Sequence, residues 1–330
     1  MIVRFVRVLT ATLLAGTAVM LGISASAASS GPGSASQVAA DVASSLSIKT
    51  LPSNLSPSLA KAQADVATLG TPALSKCDAT GTTLSPSKCV FGDKRGSKTM
   101  VLWGDSHAFM WFPAVNAIAK AKHWKLVALI EYGCPPADIS VWNPFTKAPY
   151  KACDTFRKNM IAAINKLNPS LVIVTESFSS MAASGGGASN TITPAQWQAA
   201  LETTLKDLHS SKMKKLVIGS TVLSTTPGLD VPVLCLAANT SSIQTCTITD
   251  TAAQQAQRAA ESTAAKAEST RYINVLPWMC TSATKPMSCS DIIGDSSGGY
   301  KVVYYSTGHI TETYSLWLST VLGAALKPSL

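Results

Sequence analysis

Charge is scarce in this chain and histidine scarcer still. Only 14% of its 330 residues are Asp, Glu, Lys or Arg, and there are four histidines. The net charge of +9 is spread without any Lys/Arg-rich run, so the clustered cationic surface that nucleic acid requires is missing and no nucleic-acid partner is expected. There is no Cys-x-x-Cys, and His107, His123, His209 and His309 show no ligand spacing among themselves or with the cysteines. Neither a metal nor an organic cofactor is therefore expected. Internal repeats are absent as well, which excludes a repeat architecture. After the first residues, no apolar run is long enough to cross a bilayer.

Apolar residues are plentiful, at 46%, and a chain of this length can bury a sizeable core. The start reads as a secretory signal, residues 1–27. Arg4 and Arg7 give it a charged head, Val8 to Ile23 an apolar stretch, and Ala25-Ser26-Ala27 a small-x-small cleavage site. An uncleaved anchor is the alternative, but 16 residues is short for a span. The mature protein is expected to be exported, secreted or in the cell envelope, with no stable membrane span. Eight cysteines suit an oxidising compartment. They fall into the local couples Cys77/Cys89, Cys134/Cys153, Cys235/Cys246 and Cys280/Cys289. Eight thiols allow 105 connectivities, and nearest-neighbour pairing is the expectation among them.

Residues 28–50 are rich in Ser, Ala and Gly and read as a flexible segment. Pro52 and Pro57 then punctuate an arm at the front of one domain, 51–330. Within it, short apolar runs at 100–103, 125–130, 171–174, 216–218 and 272–276 alternate with helix-like segments at 108–123, 150–167, 194–211, 250–270 and 311–326. This alternation predicts a three-layer α/β fold with a parallel five-stranded sheet. Gly185-Gly186-Gly187 and Ser296-Ser297-Gly298-Gly299 read as mobile loops.

The run Val101-Leu102-Trp103-Gly104-Asp105-Ser106-His107 passes from strand to turn to helix and leaves a serine at the carboxyl end of a strand. Open α/β sheets bind ligands there, against a helix N-terminus. His309 lies 203 residues further on, before the last helix. A serine hydroxyl is a weak nucleophile until a base takes its proton, so the pair is a candidate for acyl chemistry. Plainer roles stand beside these. Ser106 is also a good helix cap, His309 an ordinary helix-start residue, and Asp105 a binder of turn amides. His107 packs or touches substrate. Trp103, Trp111, Trp142 and Trp278 either bury area or form a sugar platform, and Glu176 is either a site residue or a solvated loop glutamate.

With Gly104-Asp105-Ser106-His107 at the front and His309 near the end, the chain resembles the SGNH hydrolase superfamily. It is most similar to the SGNH domain associated with bacterial acyltransferase family 3 proteins. Leu51-Pro52-Ser53-Asn54-Leu55-Ser56-Pro57, Gly133-Cys134-Pro135-Pro136, Pro232-Val233-Leu234-Cys235 and the paired-cysteine rhythm also carry the resemblance. It implies a flavodoxin-like fold, Ser106 as nucleophile, His309 as base, and the N–H groups of Ser106 and Gly133 as oxyanion donors. Two departures stand out. The aspartate that orients the histidine in that family is Ser306 here, leaving Asp291, Asp295 or Glu312 as substitutes. The oxyanion asparagine is replaced by Thr175-Glu176-Ser177. The expectation is a serine esterase or O-acyltransferase acting on acyl esters, chiefly acetyl, of envelope or extracellular polysaccharide, with an acylated glycan or small acyl ester as partner. Alternatives from other classes are a catalytically degenerate domain that binds envelope glycan, and a structural or adhesive protein.

Overall fold

A computed structural model describes residues 31–66, 77, 82, 84–143, 146–178, 191–210, 212–224, 231–282, 284, 286–296 and 298–330. The expected signal peptide, the Gly185-Gly186-Gly187 loop and Ser297 lie outside these residues.

Five short runs with nearly every side chain apolar become five parallel strands. In spatial order they are Arg271–Ile273, Lys214–Ile218, Leu171–Thr175, Lys98–Gly104 and Trp124–Ile130. The order places the first strand of the chain's parallel set between the second and third, the doubly wound flavodoxin-like arrangement. The sheet is six-stranded rather than five-stranded. Val90–Gly92 adds an antiparallel edge, pairing Val90 with Val127. Three half-buried residues carry too little periodicity to announce a strand.

Strand alternation sends side chains to opposite faces. Met100 and Leu102, with Leu126, Ala128 and Ile130, pack beneath the helix Ser106–Ala121 and the C-terminal helices. Val101 and Trp103, with Val127 and Leu129, pack on the other face against the helices Lys151–Leu167 and Pro194–Asp207. Burial on both faces explains why these strands read as continuous apolar runs. The expected last helix is split at Leu318 into Glu312–Trp317 and Ser319–Leu326.

The segment expected to be flexible contains the helix Ala35–Ser45 instead. Val38, Val42 and Ser45 form one buried stripe at helical spacing, and Ser34 caps the start through the Gln37 N–H at 3.1 Å. Ser45 Oγ then accepts the Gly294 N–H at 2.8 Å, tying the helix to the body. Further along, Leu55–Ser56 pairs in parallel with Tyr300–Val302. Asp65 accepts the N–H groups of Glu312 and Thr313 at 2.9 and 3.0 Å, capping the start of a C-terminal helix. The disulfides are Cys77–Cys89, Cys134–Cys153, Cys235–Cys246 and Cys280–Cys289. No helix of the described residues is long and apolar enough to cross a membrane.

Candidate active site

The turn that presents Ser106 begins where the Lys98–Gly104 strand ends. Gly104 is paired with both Ile130 and Thr175, and a Cβ there would sit 1.9 Å from the Thr175 carbonyl oxygen, so only glycine fits. Asp105 caps the helix that follows. Its Oδ1 accepts the His107 N–H at 2.8 Å, and its Oδ2 accepts the Ser177 N–H at 2.7 Å, joining the turn to the loop beyond the neighbouring strand. Burial pushes the Asp105 carboxyl up to about 7, against the lowering effect of those two amides. Because Asp105 holds the cap, Ser106 stands one position inside the helix, and its hydroxyl has no capping work.

His309 belongs to a hairpin of Tyr304–Ser306 and His309–Ile310. Gly308 turns it with φ +70°, and Thr221 Oγ1 anchors it by donating to the Gly308 carbonyl at 2.6 Å. His309 Nε2 lies 2.8 Å from Ser106 Oγ. On the other side of the ring, Nδ1 lies 2.9 Å from the Thr307 carbonyl and 3.2 Å from Ser306 Oγ. A carbonyl only accepts, so Nδ1 carries the hydrogen and Nε2 is left as the acceptor for the serine hydroxyl. Burial holds the imidazole below its ordinary range, with the Thr307 carbonyl pulling the other way. The ring is thus the neutral base form at neutral pH.

None of the proposed substitute carboxylates orients this ring. Asp295 is ion-paired to Lys301 at 3.3 Å. Asp291 is buried, its carboxyl held well above the usual range by that burial, and makes no hydrogen bond to His309. Glu312 sits on the following helix, where burial and nearby Asp65 raise it. Ser306 occupies the expected place and reaches Nδ1, but the shorter contact is the main-chain carbonyl of Thr307.

For an oxyanion, the Ser106 N–H is available because the first N–H groups of a helix have no intrahelical acceptor. Gly133 is exposed in the loop beyond the Trp124–Ile130 strand, in a left-handed conformation with φ +64°. Among the described residues that follow the Leu171–Thr175 strand, 176–178, no amide side chain stands in for the missing asparagine. Thr175 is buried, the Ser177 N–H is bound to Asp105, and Glu176 turns away so that its Oε2 accepts the Ala137 N–H at 2.8 Å. Glu176 is buried rather than solvated, and that burial raises its carboxyl well above the usual range.

His107 is buried, packed edge-to-face on His309 with ring centroids 5.1 Å apart, and burial holds it well below its ordinary range. Trp103, Trp111 and Trp278 are buried in the core and offer no sugar platform, while Trp142 is half-buried. Two half-buried tyrosines contact the elements that carry the pair. Tyr305 has its ring 5.6 Å from His309, and Tyr132 stacks on Phe109. The Tyr304-Tyr305 pair, read with strand alternation, was the available signal for one of them. Among the described residues, no cluster of three His, Cys, Asp or Glu side chains is placed to hold a metal ion.

Compared with known proteins, residues 76–323 match the family described as SGNH domain (fused to AT3 domains). Among solved structures, the periplasmic domain of a lipopolysaccharide acetyltransferase from Salmonella ser. Paratyphi A is similar at 16% identity. That alignment covers 74% of this chain and 90% of that one, with a TM-score of 0.54. A structure named TesA is 14% identical over 71% of this chain and 100% of that one, with a TM-score of 0.36. A GDSL-like lipase from Parabacteroides merdae is 10% identical over 68% and 96%, also at 0.36. No curated protein matches the chain.

Proposed function

Since the chain belongs to the family of SGNH domains of the kind fused to AT3 domains, we propose that it is an extracytoplasmic serine esterase or O-acyltransferase for acetyl esters of envelope or extracellular polysaccharide. The observation that carries the reading is the 2.8 Å contact between Ser106 Oγ and His309 Nε2, made across 203 residues of chain. Ser106 Oγ attacks the acyl carbonyl while Nε2 takes its proton. The tetrahedral oxyanion is held by the Ser106 N–H at the helix start and by the Gly133 N–H. Collapse expels the alcohol, which takes the proton from His309 and leaves an acyl-serine. Water or a sugar hydroxyl, deprotonated by the same imidazole, then attacks it. The Thr307 carbonyl keeps His309 in the required tautomer throughout.

Export is supported by Arg4, Arg7 and the apolar run after them, and by the four disulfides. An acetyl group on an envelope glycan is supported by the acetyltransferase domain to which the chain is similar. The test is incubation with an acetylated glycoside, followed by mass analysis of the peptide carrying Ser106. We expect an added acetyl group and released acetate, both lost in Ser106→Ala. Acetate release that survives in that variant would move the nucleophile elsewhere. A second reading, glycan binding without chemistry, is favoured by the absence, among the described residues, of a carboxylate hydrogen bond to His309. It predicts binding of the acetylated glycoside with neither acetyl-serine nor acetate.

A further inference from the structure

Two half-buried tyrosines, Tyr132 and Tyr305, are joined by ring contacts to the elements that carry Ser106 and His309. Tyr132 follows the Trp124–Ile130 strand, and its ring lies on that of Phe109, with centroids 4.4 Å apart and planes 23° from parallel. Phe109 is three residues beyond Ser106 in the same helix, so the two project from one helix face. Tyr132 is thereby held on the serine's side. Tyr305 stands on the hairpin that carries His309, its ring centroid 5.6 Å from the imidazole. Its neighbour Tyr304 is fully buried, whereas Tyr305 is half-buried, at the point where the hairpin register shifts. Burial, and after it the electrostatic effect of Tyr132, makes Tyr305 harder to ionise.

We propose that Tyr132 and Tyr305 are the walls that receive the sugar ring bearing the ester, and so determine specificity for a glycan ester over a simple alkyl ester. A pyranose offers an apolar C–H face and a rim of hydroxyls. A tyrosine offers a flat apolar face and one hydroxyl, and loses little rotamer freedom on binding. Trp103, Trp111 and Trp278, which could do the same, are in the core. Tyr132 immediately precedes Gly133, and Tyr305 comes four residues before His309, so a ring seated between them has its ester at the reacting groups. The inference rests on the acyl-ester reading of Ser106 and His309.

The test compares kcat/KM for O-acetylated methyl glucopyranoside with kcat/KM for ethyl acetate, which has no ring to stack. We expect the ratio of the two to fall about tenfold in Tyr305→Ala and in Tyr132→Ala, the size of one lost stacking contact. Tyr305→Phe, which keeps the ring, should retain most of the ratio. A ratio unchanged in both alanine variants overturns the inference. So does an equal loss on both esters, which marks a purely structural role. If the native protein turns over neither ester, the acyl reading has failed, and calorimetric binding of the same glucoside to Ser106→Ala and Ser106→Ala/Tyr305→Ala decides for the tyrosine. Binding about tenfold weaker in the double variant supports the platform, and equal binding overturns it.

Discussion

Ser306→Asp places a carboxylate where the site has a hydroxyl, 3.2 Å from His309 Nδ1. In serine proteases, replacing the orienting aspartate costs about 10⁴ in rate, much of it through the wrong imidazole tautomer. Here the Thr307 carbonyl at 2.9 Å already fixes the tautomer, so that part of the gain is not on offer. What remains is the attraction between a carboxylate and the imidazolium formed as Ser106 loses its proton. At about 4 Å and an effective dielectric constant near 20, the attraction is worth about 4 kcal/mol. Desolvating the new carboxylate in this half-buried hairpin takes back a large share of it. A net gain of about 1–2 kcal/mol corresponds to a rise in kcat/KM of roughly five- to thirtyfold. The measurement is kcat/KM for one acetyl ester between pH 4 and pH 9, in native protein and variant. The acid limb should also move to higher pH, because a carboxylate beside the ring favours its protonated form. Unchanged or reduced activity in a variant of native melting temperature would refute the reasoning. A rise without movement of the acid limb would show that charge on His309 is not the cause.

Other outcomes follow from the same geometry. Gly104→Ala should destabilise the fold by about 3 kcal/mol or more in urea titration, because its methyl group meets main-chain oxygen rather than a movable side chain. Native-like stability would show that the turn can relax. Asp105 has its folded-state carboxyl raised to about 7 from an ordinary value near 3.8, so the folded protein holds a proton that the unfolded chain releases. Stability should therefore fall as pH rises from about 4 to about 7, and the slope should shrink in Asp105→Asn. An identical slope in both proteins, from urea titrations at pH 5 and pH 8, would contradict this. Native kcat/KM should stay on its plateau to a pH below the ordinary histidine value, since burial lowers His309; an acid limb above pH 7 would refute it. Removing the Cys134–Cys153 bridge, with both cysteines changed to alanine, should cost about 3 kcal/mol. Crossed pairs in a non-reduced peptide map would overturn that bridge.

Much of the fold was written locally. The five parallel strands stand where apolar runs stop and start, since a strand covered on both faces must be apolar at consecutive positions. The cysteines pair with their nearest neighbours, across separations of 9 to 19 residues. Two elements were harder to see. The edge strand Val90–Gly92 exists through its pairing with Lys125–Val127, and the helix Ala35–Ser45 hides its Val38–Val42 stripe among alanines and serines.

The sequence by itself determined that a serine would stand at the end of a parallel strand, in a turn directly after Asp105. It also determined that one histidine would precede the C-terminal helices. Each of these follows from short-range sterics, capping and apolar pattern, which residues a few positions apart can encode. Only the tertiary structure decided that Ser106 and His309 meet at 2.8 Å and that the Thr307 carbonyl, not Asp291, Asp295 or Glu312, holds the ring. A main-chain acceptor has no side-chain signature, because every residue carries the same carbonyl and only the fold aims it. Burial is likewise collective. Packing from several distant segments turned Glu176 inward, sank Trp103, Trp111 and Trp278 into the core, laid Tyr132 on Phe109 and left Tyr305 beside His309.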